Sequence, residues 1–204
     1  MSNEIDAIIF DLGGVLIDWN PSYVFDKMFD DEEKKKHFFE NICTSDWNEK
    51  QDAGRPLEEA TQELVRKHPE WKEYIEAYYG RWTEMLGGPI DETVAVFREL
   101  KEQNKYKIYA LTNWSAELFP IALERYDFLH WFDGRVVSGE EKTRKPFREF
   151  YQLILDRFQL IPQQTLFIDD NLRNIKAAQE IGLNTIIFLS PEQLKEDLVQ
   201  LQIL

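Results

Sequence analysis

The chain has 204 residues, is 43% hydrophobic, carries a formal net charge of −14 and contains one cysteine, Cys43. That length and apolar fraction suit one α/β domain, or a core domain with a modest insertion. The negative balance argues against nucleic acid and against anionic membrane surfaces, whose phosphates it would repel, and a single cysteine excludes both an internal disulfide and a cysteine-based zinc site. No segment is long and apolar enough to span a bilayer. The start, Met1-Ser2-Asn3-Glu4, lacks the basic patch and apolar run of a signal peptide, so a cytoplasmic protein is expected.

In chain order, residues 5–10 (IDAIIF) read as a short buried strand that ends in Asp11 and is followed by Gly13 and Gly14. Glycines at this point let the backbone turn sharply and approach a ligand closely. Residues 19–88 show no buried-strand run. There the charged stretch Asp30–Lys36 reads as a solvated helix start. Leu57, Ala60, Thr61, Leu64 and Val65 form a helical stripe beginning after Gly54 and Pro56. A second stripe, Val94, Phe97 and Leu100, begins through Pro89 and Asp91. The strand 106–111 ends in Thr112-Asn113, and a weaker strand is expected at 135–137. Phe147, Phe150, Tyr151, Ile154, Leu155 and Phe158 line one face of a helix. The strand 165–168 ends in Asp169-Asp170, and another covers 185–189. Ser190 caps the last helix, with Pro191 at its first position and Gln193 three residues after the cap. Strands alternating with helices of this length imply a parallel sheet covered on both faces.

Ligands of an open parallel sheet bind beyond the carboxyl ends of its strands. Asp11, Thr112-Asn113 and Asp169-Asp170 therefore converge on one crevice. Singly, each has a plain structural use: an Asp caps a helix, and Thr-Asn is turn material. Together, several carboxylates without a basic neighbour repel one another unless a cation lies between them. Oxygen donors alone, with no histidine and no cysteine, point to a hard cation, Mg²⁺, which takes one or two carboxylates plus water and substrate phosphate.

At these residues the sequence resembles the haloacid dehalogenase-like (HAD) hydrolases over nearly its whole length. Asp11 in FDLGGVL, Thr112 in LTN, Lys145 in EKTRKP and FIDDN at 167–171 are similar to that family's four motifs in order and spacing. The resemblance implies a Rossmann-like three-layer core with parallel strand order 5-4-1-2-3, built from residues 1–18 and 89–204. It also implies a small helical C1-type cap over 19–88. It assigns Asp11 as a nucleophile forming an aspartyl-phosphate, with Asp11, the Gly13 carbonyl and Asp170 holding Mg²⁺ and Asp169 supporting the metal. Thr112 and the following amide, of Asn113, would grip phosphoryl oxygens, and Lys145 would neutralise charge. The expected substrate is a small phosphorylated metabolite.

One position departs from the pattern. Two residues after the nucleophile most phosphatases of the family carry a second aspartate as general acid and base; here it is Gly13. General acid–base catalysis is worth about 10²–10⁴ in rate, so the absence matters. Three readings stay open. A branch with DLGGV or DLGNV includes sugar-phosphate phosphatases, and a sugar 1-phosphate has a good leaving oxygen. A 2-haloacid dehalogenase needs no proton donor, although DLGG lacks the aromatic residue and the Asp169-Asp170 pair suits a metal. The third is a weak or inactive relative that binds a phosphorylated ligand or a protein. Asp18 is the nearest replacement acid, but an Asp is common in that turn. The stretch WNEKQDAGRP resembles the specificity loop of C1 caps, which makes Trp47, Asn48, Gln51 and Arg55 candidate substrate contacts. Trp114 is a candidate pocket wall, and Trp71 and Trp82 are expected in the helical core. His37, His68 and His130 have no ligand-like spacing.

Overall fold

Residues 4–204 are described by a computed structural model. The first apolar run forms β1 (Ala7–Phe10), all four residues buried, and a tight turn leads into β2 (Ile17–Trp19). Five helices follow: α1 (Ser22–Phe25), α2 (Glu32–His37), α3 (Ser45–Asp52), α4 (Leu57–Lys67) and α5 (Lys72–Gly80). The chain returns through β3 (Leu86–Pro89) to α6 (Asp91–Gln103) and β4 (Lys107–Thr112). Next come α7 (Phe119–Arg125), β5 (Gly134–Val137), α8 (Ser138–Glu141), α9 (Arg148–Phe158) and β6 (Thr165–Asp169). The last elements are α10 (Leu172–Glu180), β7 (Asn184–Ile187) and α11 (Pro191–Gln200).

Five strands pair in parallel in the order β5-β4-β1-β6-β7. With β2 and β3 set aside, the remaining strands counted along the chain run 5-4-1-2-3, as expected. Successive strand residues point to opposite faces. On one face Ala7, Ile9, Tyr109 and Phe167 pack against Phe150, Tyr151 and Ile154 of α9 and Ile175 of α10. On the other, Ile8, Phe10, Ile108 and Leu166 pack against Phe97 and Leu100 of α6 and Leu194 and Leu198 of α11. The result is three layers, α/β/α. The second apolar cluster runs on into the α1–α5 segment through Phe25, Phe38 and Tyr78.

Three local details differ from the sequence reading. β2 and β3 form an antiparallel pair at the base of the helical segment, where no strand was expected. Their three and four residues are too few for periodicity, and Gly87, Gly88 and Pro89 hide β3 further. Gly87 leaves room for the Asp18 side chain, since a Cβ would lie 2.2 Å from its Oδ2 and force it to move. Phe147 is not on the buried stripe of α9. It precedes the helix, is 48% exposed, and lies under the Arg144 guanidinium. β7 begins at Asn184 and leaves Leu189 in solvent. The capping expectation for Ser190 stands, since it accepts from the Gln193 amide at the start of α11. The charged stretch does start a helix, with Asp31 accepting from the Glu33 and Lys34 amides at the start of α2.

Candidate active site

In the sheet register Phe10 lies opposite Ile168, so one step on Asp11 comes level with Asp169. The Asp11 amide donates to the Ile168 carbonyl at 2.9 Å, which holds the residue at the strand edge before the chain turns away. That turn needs Gly14. Its φ is +76°, and a Cβ would sit 2.3 Å from Asp170 Oδ2. Gly13 is different, since its φ is not positive and a Cβ there would meet nothing within 4 Å.

Lys145 reaches the same place from the loop before α9. Its ammonium is fully buried, 2.8 Å from Asp11 Oδ2 and 2.7 Å from Asp169 Oδ2. Asn113 fixes that loop: its Oδ1 accepts from the Lys145 amide at 2.8 Å, and its Nδ2 donates to the Lys145 carbonyl at 3.0 Å. Asn113 thus positions the lysine as well as lining the crevice. Burial opposes the Lys145 charge, but Asp11 and Asp169 outweigh it and its pKa is raised. Asp11 is pushed up to about 7, by burial first, with Asp169 and Asp170 adding to the shift and Lys145 opposing it. One ammonium does not balance three carboxylates.

That imbalance tests the fit of a cation. Asp11, Asp169 and Asp170 offer oxygens within 4.8 Å of one another. Asp169 is already committed: Oδ1 accepts from the Asn171 amide at 2.8 Å and from Asn174 Nδ2 at 3.0 Å, and Oδ2 accepts from Lys145. Asp170 has no ion pair among the described residues, and burial and Asp169 raise its pKa. Two carboxylates left in deficit, with oxygen donors only, fit a hard divalent cation.

Above the carboxylates lies a cavity of about 370 Å³ between the sheet edge and the helical segment. Trp19, Tyr79, Trp82 and Trp114 give it an aromatic wall, to which Leu118 adds an apolar side chain. The indole nitrogens of Trp19 and Trp114 are buried without a hydrogen-bond partner among the described residues. Asn48, Asp52 and Ser115 add polar groups. Thr112 ends β4 and is 1% exposed; the wall beside it is made by Asn113, Trp114 and Ser115.

The specificity-loop expectation divides along α3. Asn48 lines the cavity. Trp47 instead packs on Tyr78 and Tyr79 inside the helical segment. Gln51 is fully buried and donates to the Trp47 carbonyl and the Tyr79 hydroxyl. Arg55 pairs with Glu59 and Glu63. None of these three reaches the cavity wall. Sequence reasoning missed Trp19, Asp52, Tyr79 and Ser115; Trp82, expected in the helical core, is buried there and lines the cavity as well. The one available signal for Asp52 was its spacing of four from Asn48. Asp18 accepts a hydrogen bond from the Tyr23 hydroxyl at 2.5 Å and does not line the cavity.

The helical segment is tied to the core at α3. Glu49 pairs with Arg144 at 2.5 Å and also with Arg173. The Ser138 hydroxyl donates to the Asp52 carbonyl at 2.5 Å, and the Leu57 amide donates to Glu117 at 2.9 Å. Gly54, with φ of +92°, lies so close to Gly139 that a Cβ would be 2.9 Å from its carbonyl oxygen. No helix among the described residues is long and apolar enough to cross a membrane.

A sesquiterpene phosphatase of Aspergillus oryzae is 30% identical over 183 residues, covering 90% of this chain and 89% of that protein. A phosphorylated-carbohydrate phosphatase of Thermotoga maritima is 26% identical, covering 89% of this chain and 84% of its own length. Among solved structures, a HAD-family enzyme of Bacteroides thetaiotaomicron in complex with magnesium and inorganic phosphate superposes with a TM-score of 0.67. It is 26% identical and is matched over 89% of this chain and 93% of that one. The family model described as haloacid dehalogenase-like hydrolase matches residues 5–182. With the four motifs gathered at one sheet edge, the chain belongs to the haloacid dehalogenase-like hydrolases.

Proposed function

We infer that this protein is a Mg²⁺-dependent phosphomonoester hydrolase acting on a small phosphorylated metabolite. The observation that carries the reading is the Lys145 ammonium held between Asp11 and Asp169 beside an unpaired Asp170. The adjacent Asp169-Asp170 pair suits a metal better than it suits a metal-free dehalogenase. In the phosphatase reading Asp11 attacks phosphorus through a carboxylate oxygen and carries the phosphoryl group. Lys145 favours the ionised form of Asp11 against burial and offsets charge on the phosphoryl oxygens. Thr112 and the Asn113 amide orient those oxygens, and Asp169 holds Lys145 in place. Asp11, Asp170 and the Gly13 carbonyl would hold Mg²⁺, which when bound supplies further neutralisation of the phosphate.

The finer reading concerns what carries the phosphate. An aromatic wall suits the apolar faces of a sugar, Asn48 and Ser115 suit its hydroxyls, and the Thermotoga relative is named for phosphorylated carbohydrates. A sugar 1-phosphate is the favoured substrate among the sugar esters, because its anomeric leaving oxygen needs less protonation than a primary alkoxide. The same wall accommodates an apolar chain, and the Aspergillus relative is named for sesquiterpenes. A panel of sugar 1-phosphates, sugar 6-phosphates, farnesyl phosphate and 2-chloropropionate, assayed with Mg²⁺ and with EDTA, separates these. Metal-dependent phosphate release is expected. Halide release in EDTA, or ligand binding without turnover, would replace the phosphatase reading.

A further inference from the structure

Gly13 has no side chain with which to move a proton, and in-line displacement places the leaving oxygen on the side of phosphorus opposite Asp11. In this fold that side is the helical segment across the cavity. The titratable groups on or near the wall there are few. Glu49 is held by Arg144 and Arg173. Burial raises the Cys43 thiol and the Tyr78 and Tyr79 phenols far above neutrality. Asp52 is the remaining carboxyl. It lines the cavity together with Asp11, Gly13 and Asp170 and has no ion pair among the described residues.

A directed chain of hydrogen bonds orients it. Gln51 Nε2 donates to the Tyr79 oxygen at 3.1 Å, so the Tyr79 proton goes to Asn48 Oδ1 at 2.9 Å. That turns the Asn48 amide nitrogen toward Asp52 Oδ2, 3.1 Å away. Oδ1 of Asp52 receives no hydrogen bond among the described residues. The backbone is pinned as well, by the Ser138 hydroxyl on the Asp52 carbonyl.

We propose that Asp52, donated by α3 across the cavity from Asp11, is the general acid and base that Gly13 does not supply. The assignment rests on the phosphatase reading above. In the first step Asp11 forms a bond to phosphorus, the ester P–O bond breaks, and the Asp52 proton passes to the leaving oxygen to give the free alcohol. In the second, the Asp52 carboxylate takes a proton from water as that water attacks the aspartyl-phosphate. The Asp11–phosphorus bond breaks, inorganic phosphate departs and Asp52 is again protonated. The surroundings suit the role. Burial and then Glu49 raise the Asp52 carboxyl to about 7, against Arg144 and Lys145. Tyr78 and Tyr79 of α5 complete the groups around it.

The test is Asp52→Asn with Mg²⁺, comparing p-nitrophenyl phosphate, whose leaving group needs no proton, with butyl phosphate, whose alkoxide does. The variant should lose about 10²–10⁴-fold in kcat/KM on butyl phosphate and less than tenfold on the aryl ester. The fall in wild-type kcat/KM for butyl phosphate above pH 7 should vanish in the variant. A fold check is built in. An aspartate raised from 3.8 to about 7 weakens the folded state as pH rises through that window. Asp52→Asn should therefore melt above wild type at pH 8, with the gap closing at pH 4. Equal losses on both esters, an unchanged butyl rate, or wild type that cleaves only the aryl ester would overturn the assignment. Wild type that cleaves neither would overturn the phosphatase reading and this assignment with it.

Discussion

Replacing Lys145 by methionine removes a charge that the fold is built around while keeping much of the side chain's length and apolar bulk. In the wild type the ammonium is fully buried, 2.8 Å and 2.7 Å from two carboxylates that are themselves nearly or wholly buried. Taking away one partner of a buried ionic group costs about 3–5 kcal/mol, because the charge left behind has neither water nor a counter-ion. For a chain of this size about 1 kcal/mol moves the melting temperature by roughly 2–4 °C, so a fall of about 6–20 °C is expected. The sign of the pH dependence follows. Burial already holds Asp11 at about 7, and losing Lys145 raises it further. A raised carboxyl disfavours the folded state at pH values above its unfolded value near 4. The variant's deficit should therefore be larger at pH 8 than at pH 5. Thermal melts of wild type and variant in EDTA at both pH values measure this directly. A deficit under about 1 kcal/mol, or one that is the same at pH 5 and pH 8, would refute the view that Lys145 is held by uncompensated carboxylates.

Asp11→Asn should abolish turnover of every phosphate ester while melting no lower than wild type in EDTA, since it removes one of three crowded carboxylates; residual activity near wild type would rule out the covalent route. Isothermal titration with Mg²⁺ should show Asp170→Ala weakening binding more than Asp169→Ala, whereas melts should rank them the other way, because Asp169 holds Lys145, Asn171 and Asn174. Gly13→Asp should fold, having open space for its Cβ, and should restore butyl phosphate hydrolysis in the Asp52→Asn background while adding little to the wild type. Gly14→Ala should lose Mg²⁺ affinity, because its Cβ and Asp170 Oδ2 cannot share a position.

The strand ends were legible in the sequence because each is local: an apolar run stops, and a carboxylate or hydroxyl stands at its edge. Topology then brings those edges together without further information. The helical segment was legible only as helix. Which face of α3 points into the cavity depends on a rotation of about 100° per residue, and nothing in WNEKQDAGRP fixes that phase. Trp47 and Gln51, four apart, share the inward face. Asn48 and Asp52, one residue on, share the face that lines the cavity. An aromatic and an amide were the more conspicuous binding candidates, yet Tyr78 and Tyr79 claim Trp47 by packing. Contacts between segments distant in the chain decided the matter. Trp82 is buried in the core as expected, but its second role was not legible: it lies T-shaped to Trp114 and lines the cavity as well.

The bridge from Glu49 to Arg144 and Arg173 does more than hold two parts of the protein together. Arg144 is the residue before Lys145, so the only α3 carboxylate gripped by two guanidiniums is anchored one peptide bond from the ammonium that faces Asp11. A displacement of α3 would break that grip and carry Asp52 and Asn48 away with it. The anchoring of α3 and the placement of Asp52 therefore share one latch. The same two guanidiniums that hold the helix keep both ends of the reaction in register.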